Sequence, residues 1–431
     1  MTDTATAGVV TFEQARHIVE EHASQVCPSG METVSLLEAA ERVLAEEIRA
    51  DRDLPPFDRV IRDGYAVRAE DVVQVPASLR IVGEIRAGQT PDSLPSIGPG
   101  QAAEVMTGAP LPPGANAVVM VEYTDPQGSE VIVDRRPEPG DNFVPRAAEA
   151  GLGDVLLPPG HRIQHAAMAV AASVGKPELK VFEKPRVAIV ATGDEIVEIT
   201  GDPGPNEIRN SNTYSLAAQV RAAGAEPVLL PRSPDEPQRL SELLKEGFTA
   251  DLLLITGGVS MGKYDLVEQT LAEFGAEFFF TGARIQPGKP VVFGRIPAPM
   301  GTGRDRASDD RSETSAGPPF KYFFGLPGNP VSTMVTFELF ARPLIEALCG
   351  ATPRKLRFFP ARLASDIRTK TGLTRFLPAN VSGEFDTCTV ELVAWKGSGD
   401  IAAQARANCY VVVPPDREVL AADEFVSVMA L

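Results

Sequence analysis

Between residues 184 and 348 the apolar pattern changes period again and again. Short apolar runs (PRVAIVA, EPVLLPR, ADLLLIT and KYFFGL) are each followed by a stretch with helical spacing: SNTYSLAAQVRAAG, SPDEPQRLSELLKEGF, YDLVEQTLAEFG and NPVSTMVTFELFARPLIEALCG. Strands alternating with helices predict an α/β domain built on a parallel sheet. From 78 to 135 the pieces LRIVGEI, AAEVMTG, NAVVMVEY and EVIVDRR alternate with Gly/Pro turns and predict a small all-β module. From 354 to the end, LRFFPARLA, TCTVELVAW, CYVVVP and EFVSVMA predict a β-barrel or sandwich. TFEQARHIVEEHASQV (11–26) reads as an amphipathic helix, with Thr11 as N-cap and Gln14 completing a capping box. The stretch 35–50 reads as a short helix followed by extended chain. LLPPGHRI and an Ala-rich helix ending at Gly175 fill 153–180, which lacks a core of its own and is expected to rejoin the first helices. The polar, turn-rich stretch 299–319 reads as a disordered surface insertion.

Composition narrows the function. A length of 431 residues suggests about three domains at roughly 150 residues each. No apolar stretch approaches membrane-spanning length, and the N-terminus carries neither a signal peptide nor a transit peptide, so a cytoplasmic protein is expected. The net charge of −17 argues against non-specific nucleic-acid binding and against anionic membrane surfaces. Cys27, Cys349, Cys388 and Cys409 lack C-x-x-C spacing and read as reduced and structural. His161 and His165 stand four residues apart, but Pro158-Pro159-Gly160 points to a turn there rather than to one helix face carrying a metal site.

In open α/β sheets ligands bind beyond the carboxyl ends of the strands, and four loops of unusual chemistry fall there. Thr192-Gly193-Asp194-Glu195 places two acids at a strand end, suited to Mg²⁺ or to a helix cap. Asn210-Ser211-Asn212 opens a helix; one of the three must cap it, and together they suit a phosphate or sugar hydroxyls. TGGVSMGKYD (256–265) offers Gly257, Gly258, Ser260 and Gly262 as a phosphate-binding loop. Gly257, Gly262 and Lys263 begin a P-loop pattern that fails at Tyr264. Pro287, Gly288 and Lys289 in PGKP pair with Pro327, Gly328, Asn329 and Ser332 in LPGNPVS, where Asn329 is a ready N-cap and Pro330 a first helical residue. No G-x-G-x-x-G opens a helix after a strand and no G-x-S-x-G elbow occurs, so nicotinamide and serine-hydrolase chemistry are not supported.

In this order TGDE, NSN, TGGVSMGKYD, PGKP and GLPGNPVS resemble the molybdopterin molybdenumtransferase family, which includes the E domain of gephyrin. PPFDRVIRDGYAVR (55–68), EVMTGAPLPPGANAVVMVE (104–122) and GSGDIAAQARANCYVVVP (397–414) extend the resemblance to nearly the whole chain. It implies a multi-domain α/β protein. An N-terminal mixed helical and extended subdomain would span 1–51 plus 145–182, and a β-rich module 52–144. A three-layer α/β/α molybdopterin-binding domain would span 183–350, and a C-terminal β-barrel 351–431. It implies an elongated homodimer whose cleft is shared between subunits. The implied reaction inserts molybdenum from molybdate into adenylylated molybdopterin and releases AMP, with Mg²⁺ as cofactor and the upstream adenylyltransferase as a further partner. It assigns catalytic roles to Asp63, Glu195, Asp265 and Lys289, with Glu195, Asp63 and Asp265 as metal ligands.

Several positions depart from the family pattern. Gln286 replaces a lysine, Leu373 and Pro378 stand where arginines are common, and Ala402-Ala403 replaces paired serines. Val60 and Arg62 precede DGYA in place of a small polar residue and a methionine, and Glu149 stands near a G-E-D. Lost cations and hydroxyls weaken anion binding. A non-catalytic molybdopterin-binding paralogue or scaffold is therefore the alternative reading. The adenylyltransferase activity related to the α/β domain alone is a third, opposed by the extra modules.

Overall fold

A computed structural model describes residues 8–90, 93–258, 266–298, 319–352 and 355–431. Its largest core surrounds a six-stranded sheet ordered Glu226–Leu229, Arg186–Ala191, Leu252–Thr256, Phe320–Leu326, Val292–Pro297, Glu277–Phe280. The first four strands run parallel and the last two antiparallel, so the expected parallel sheet is a mixed one. Central strands buried on both faces need apolar side chains at every position, which is why VAIVA and LLLIT show no alternation. Val187, Ile189, Leu252 and Leu254 pack one way, against helix Asn212–Ala222 and the helical run from Pro330 to Leu348. Ala188, Val190, Leu253 and Ile255 pack the other way, against helices Pro237–Gly247 and Leu266–Glu273. Helices on both faces give the three-layer α/β/α architecture.

The N-terminal helix Phe12–Ala23 carries the predicted Thr11–Gln14 capping box and docks on this same core. Phe12 meets Phe340 and Phe376 edge-on, with ring centroids 6.3 and 5.1 Å apart. His22 stacks on Phe279 at 3.9 Å, with Nδ1 3.3 Å from the Tyr322 hydroxyl. Strand Val9–Val10 adds in parallel to Gly282–Ala283. The short helix expected after residue 35 does not form. There Ala39, Ala40 and Arg42 make isolated turn bonds to Ser35, Leu37 and Ala39, while the backbone donors of Leu36, Glu41, Leu44 and Ala45 go to Pro177, Ile163, His161 and Lys180, far along the chain. Met31–Ser35 pairs with Glu178–Phe182 and Ile48–Arg49 with Val155–Leu157, around a small core that includes Ile48, Ile163, Ala171 and Leu179.

Six strands form the β module in the order Ala117–Met120, Gly64–Val67, Gln101–Val105, Ala77–Ile85, Glu130–Val133, Thr124–Gln127. The C-terminal region is a closed barrel. Thr374–Ser382 pairs with Thr389–Leu392, which pairs with Phe358–Leu363, then Phe425–Ala430, then Cys409–Val413, which returns to the first strand. Phe376, Tyr410 and Met429 face the α/β core and fix the barrel to it. Ile285–Gln286 adds in parallel to Thr374–Arg375, a second tie between the two. All four cysteines are free; burial pushes the Cys349 thiol up to about 12 and the Cys409 thiol up to about 11. No helix among the described residues is long and apolar enough to cross a membrane.

His22 yields a test of this packing. Burial first, and then the neighbouring Arg295 charge, hold its pKa below the ordinary value of 6.5. The folded state thus binds fewer protons than the unfolded chain, and stability is lost as pH falls below 6.5 toward the folded value. Thermal unfolding should show a larger drop in apparent Tm between pH 7.5 and 5 for the wild type than for His22→Phe, which keeps the stack and cannot protonate.

Candidate active site

The strand order reverses between Arg186–Ala191 and Leu252–Thr256: the chain leaves the first strand to one side, then returns on its other side. A crevice opens at such a switch point, beyond the carboxyl ends of the strands. Thr192-Gly193 leaves one strand there and Gly257-Gly258 leaves the other. The Thr192 N–H donates to Thr256 O at 2.9 Å, and the Gly257 N–H to Leu326 O at 3.2 Å. The glycines allow this approach. Both have positive φ, and a Cβ on Gly257 would stand 2.4 Å from Thr192 O, one on Gly258 2.7 Å from Thr192 Oγ1.

Asn210-Ser211-Asn212 enters the same crevice. Asn210 caps the helix, since its Oδ1 accepts from the Thr213 N–H at 3.2 Å, while Ser211 makes no side-chain cap bond. Asn212 Nδ2 donates to Thr256 Oγ1 at 2.9 Å and to Gly328 O at 2.8 Å, tying three loops together. Thr192 Oγ1 and Asn212 Oδ1 are buried without a hydrogen-bond partner. Buried polar atoms are rarely left so unless a ligand or water completes them.

Asn329 is the N-cap and Pro330 the first residue of helix Pro330–Thr336, as its sequence implies. The Thr256 and Thr333 hydroxyls both donate to Pro327 O and pin the LPGNP loop. Gly288 lies against this helix: a Cβ there would meet Thr336 Cγ2 at 2.4 Å and Ser332 O at 3.6 Å. PGKP and LPGNPVS are therefore neighbours, following the Gln286-Pro287 cis bond, and Lys289 is exposed beside them. The Val331 N–H donates to Ser398 O at 3.0 Å, which brings the barrel's GSGD loop onto the start of the helix.

Asp194 and Glu195 are both exposed at the sheet edge. The loop PRSPD, unremarkable in the sequence, closes on them: Gly193 N–H donates to Ser233 O at 3.2 Å and Asp235 N–H to Asp194 Oδ1 at 3.2 Å. Desolvation, then the charges of Asp194 and Glu195, raise the Asp235 carboxyl above its ordinary pKa. Arg232 Nη1 reaches Gly193 O at 3.4 Å. Among the described residues no three His, Cys, Asp or Glu side chains converge to hold a metal ion by themselves. Ser260, Gly262 and Asp265 lie outside the described residues, as does 299–318.

Asp63 stands in the β module, exposed, just before the strand that begins at Gly64. A Cβ on Gly64 would lie 1.9 Å from Val119 O, so only glycine fits after this acid. Asp63 Oδ1 accepts from the Thr107 N–H at 2.6 Å and from the Thr107 hydroxyl at 2.8 Å. Sequence reasoning missed Thr107. Its signal lay in the quoted EVMTG run, but the pairing of Gly64–Val67 with Gln101–Val105 is what brings it to Asp63.

Three family models match in order: the MoeA N-terminal region (domains I and II) over 10–175, a probable molybdopterin binding domain over 188–347, and the MoeA C-terminal region (domain IV) over 360–431. A Bacillus subtilis protein named molybdopterin molybdenumtransferase is 33% identical over 92% of this chain and 90% of its own length. The chain belongs to the molybdopterin molybdenumtransferase family. A Nostoc member of the same name is 38% identical over 74% of this chain and 70% of its own. The solved molybdopterin biosynthesis moeA protein of Pyrococcus horikoshii superposes with a TM-score of 0.74 at 27% identity, covering 98% of this chain and 100% of its own. Within the family frame, the crevice lies in the segment matched by the molybdopterin-binding model, and Asp63 in the segment matched by the N-terminal one.

The Thr107 contacts make a prediction. The Thr107 N–H first, then its hydroxyl, hold the Asp63 carboxyl below its ordinary pKa. Thr107→Val removes the second donor and keeps the first. The Asp63 titration midpoint, followed by carboxyl carbon NMR, should rise and still stay below the ordinary carboxylate value.

Proposed function

We propose that this chain is a molybdenum insertase: it takes adenylylated molybdopterin and molybdate, places the metal at the dithiolene sulfurs and releases AMP. The observation that carries this reading is the convergence of four loops on one sheet edge, with two orphaned polar atoms in the crevice, in a chain that matches its family nearly end to end. Thr192, Gly193, Asp194, Asn210, Ser211, Asn212, Gly257, Gly258, Pro287, Gly288, Pro327, Gly328, Asn329 and Ser332 would line the binding site, together with Ser260 and Gly262. Lys289 supplies a point positive charge for an anionic group. As the family resemblance implies, Asp63, exposed in the β module and held there by Thr107, would act in the cleft of a second copy, within a homodimer whose cleft is shared. The four units proposed from the sequence, 1–51 with 145–182, 52–144, 183–350 and 351–431, keep these roles separate.

Mg²⁺ is the cofactor we assign. The donor set is carboxylate oxygen, and Mg²⁺ is commonly held by one or two carboxylates with substrate phosphate oxygens and water completing it. Crowding of Asp194, Glu195 and Asp235 fits such an ion. Glu195, with Asp265 and the second copy's Asp63, would hold it at the phosphoanhydride, where it supplies charge neutralisation. The P–O bond to the adenylate breaks on attack by water or a molybdate oxygen, so no protein nucleophile is required. The enzyme that adenylylates molybdopterin supplies the substrate, and is a candidate partner.

The departures favour one second reading, a molybdopterin-binding scaffold. Ala403 is fully buried, its N–H is spent on Asp400, and it offers no hydroxyl at its position. AMP release at catalytic rates would exclude that reading.

Glu195→Gln should lower AMP release from adenylylated molybdopterin by about 100-fold or more while the thermal unfolding curve is kept. Normal release would remove Glu195 from the mechanism. Chelation should abolish AMP release and Mg²⁺ restore it; release that persists in chelator would contradict the metal assignment.

A further inference from the structure

We propose that Asp53 and Arg146 are positioning residues: their contact clasps the joint between the β module and the N-terminal subdomain, and so sets where Asp63 stands. This rests on the reading of Asp63 as a group that acts in a second copy's cleft, and adds what holds it in place.

Apolar packing does not orient the β module. Its buried apolar side chains fall into two clusters, and every residue of both lies between 60 and 133. Among the described residues, none from that range enters a core cluster of the other units. The module's interior is thus fixed by its own core, while its orientation is left to the two chain segments that join it to the N-terminal subdomain. These segments pair at Leu54 with Ala150, and again where Arg59–Val60 meets Phe143–Val144.

Between those two pairings the backbone ladder fails. Pro55, Pro56 and Pro145 have no N–H to give. Among the described residues one backbone bond joins 55–58 to 145–148, from the Ala147 N–H to Pro55 O at 3.0 Å. Side chains take over there. Arg146 reaches both ways: its N–H donates to Asp58 Oδ1 at 2.9 Å and its Nε to Asp53 Oδ2 at 2.7 Å. Asp53 Oδ1 accepts from the Leu152 N–H at 3.0 Å. Asp53 therefore ties Arg146, on one side of the Leu54–Ala150 pairing, to Leu152 on the other. Arg59 Nη2 adds a contact to Glu149 Oε1 at 2.7 Å.

Asp63 follows Val60 by three residues, a span of at most about 11 Å, so a change of angle at the joint reaches it directly. The Asp53 side chain is 20% exposed and that of Arg146 66%. A pair so open to water adds little to stability. Its contribution is to geometry, which separates its loss from unfolding.

Hydrogen exchange and AMP release, both measured on the full chain, test the clasp. In Asp53→Ala the N–H groups of Leu54 and Ala147 should exchange about fivefold faster than in the wild type, the scale of one exposed ion pair, with Tm kept. The kcat for AMP release should fall about tenfold or more, as for a displaced catalytic group, while KM for adenylylated molybdopterin is unchanged. Arg146→Lys keeps a cation for Asp53 and should keep kcat within about threefold. In an Asp63→Asn background Asp53→Ala should cost nothing further, because it acts through Asp63. The proposal is overturned by unchanged exchange in Asp53→Ala, by a loss that multiplies with that of Asp63→Asn, or by a change in KM alone. If the wild type releases no AMP, faster exchange in Asp53→Ala keeps the clasp and sinks the insertase reading. Unchanged exchange beside normal wild-type release sinks the clasp and keeps the insertase.

Discussion

The parallel pairing of Arg186–Ala191 with Leu252–Thr256 is the constraint on which the site depends. Five residues in register bring Ala191 opposite Thr256, so the next residue of each strand must leave the sheet at the same place. Two side chains of ordinary size cannot both turn there. Thr192 keeps its side chain and the other strand continues with Gly257-Gly258, whose missing Cβ atoms make room for Thr192. The crevice is thus a consequence of sheet register and of two glycines.

The second constraint is the shared core. Phe12 from the N-terminal helix, Phe340 from the α/β domain and Phe376 from the barrel meet in one cluster. Removing a large buried aromatic from such a cluster costs about 3–5 kcal/mol. Barrel and α/β domain are therefore mounted on one another by apolar packing, and the polar contacts are a thin addition. Ser398 O receiving the Val331 N–H and the pairing of Gln286 with Arg375 set the position of the GSGD and PGKP loops rather than holding the domains together. Loops placed in this way on rigid elements keep their geometry without needing stability of their own.

Much of the fold was legible because burial writes itself into apolar period. VAIVA, LLLIT and the helices that follow them announce a sheet covered on both faces. Gly64–Val67 did not, because four residues buried on every side show neither alternation nor length. Thr374–Ser382 did not, because Pro378 interrupts it and its polar ends resemble a turn; Pro378 stands opposite Tyr410, one residue before the strand takes up Thr389–Leu392 as its other partner at Ala379. The helix expected after residue 35 had acceptable spacing but stops at isolated turns, because the N–H groups of Leu36, Glu41, Leu44 and Ala45 take distant partners. At the site, the motif glycines and the Asn329-Pro330 helix start were legible as local chemistry. Thr107 and Asp235 were not, since each acquires its role only when a distant strand delivers it to an acid.

Charge is where fold and chemistry meet most directly. A chain of net charge −17 gathers further carboxylates at the very edge where an anionic ligand is expected. Burial first, and then the charges of Asp194 and Glu195, raise the Asp235 carboxyl above its ordinary pKa. Like charges in that arrangement are relieved by a proton or by a cation, and the two compete for the same oxygens. The unpartnered buried atoms nearby, Thr192 Oγ1 and Asn212 Oδ1, carry no such charge. On the function proposed above, an acidic protein accepts a phosphorylated ligand because a cation drawn by the rim's own carboxylates would come with it.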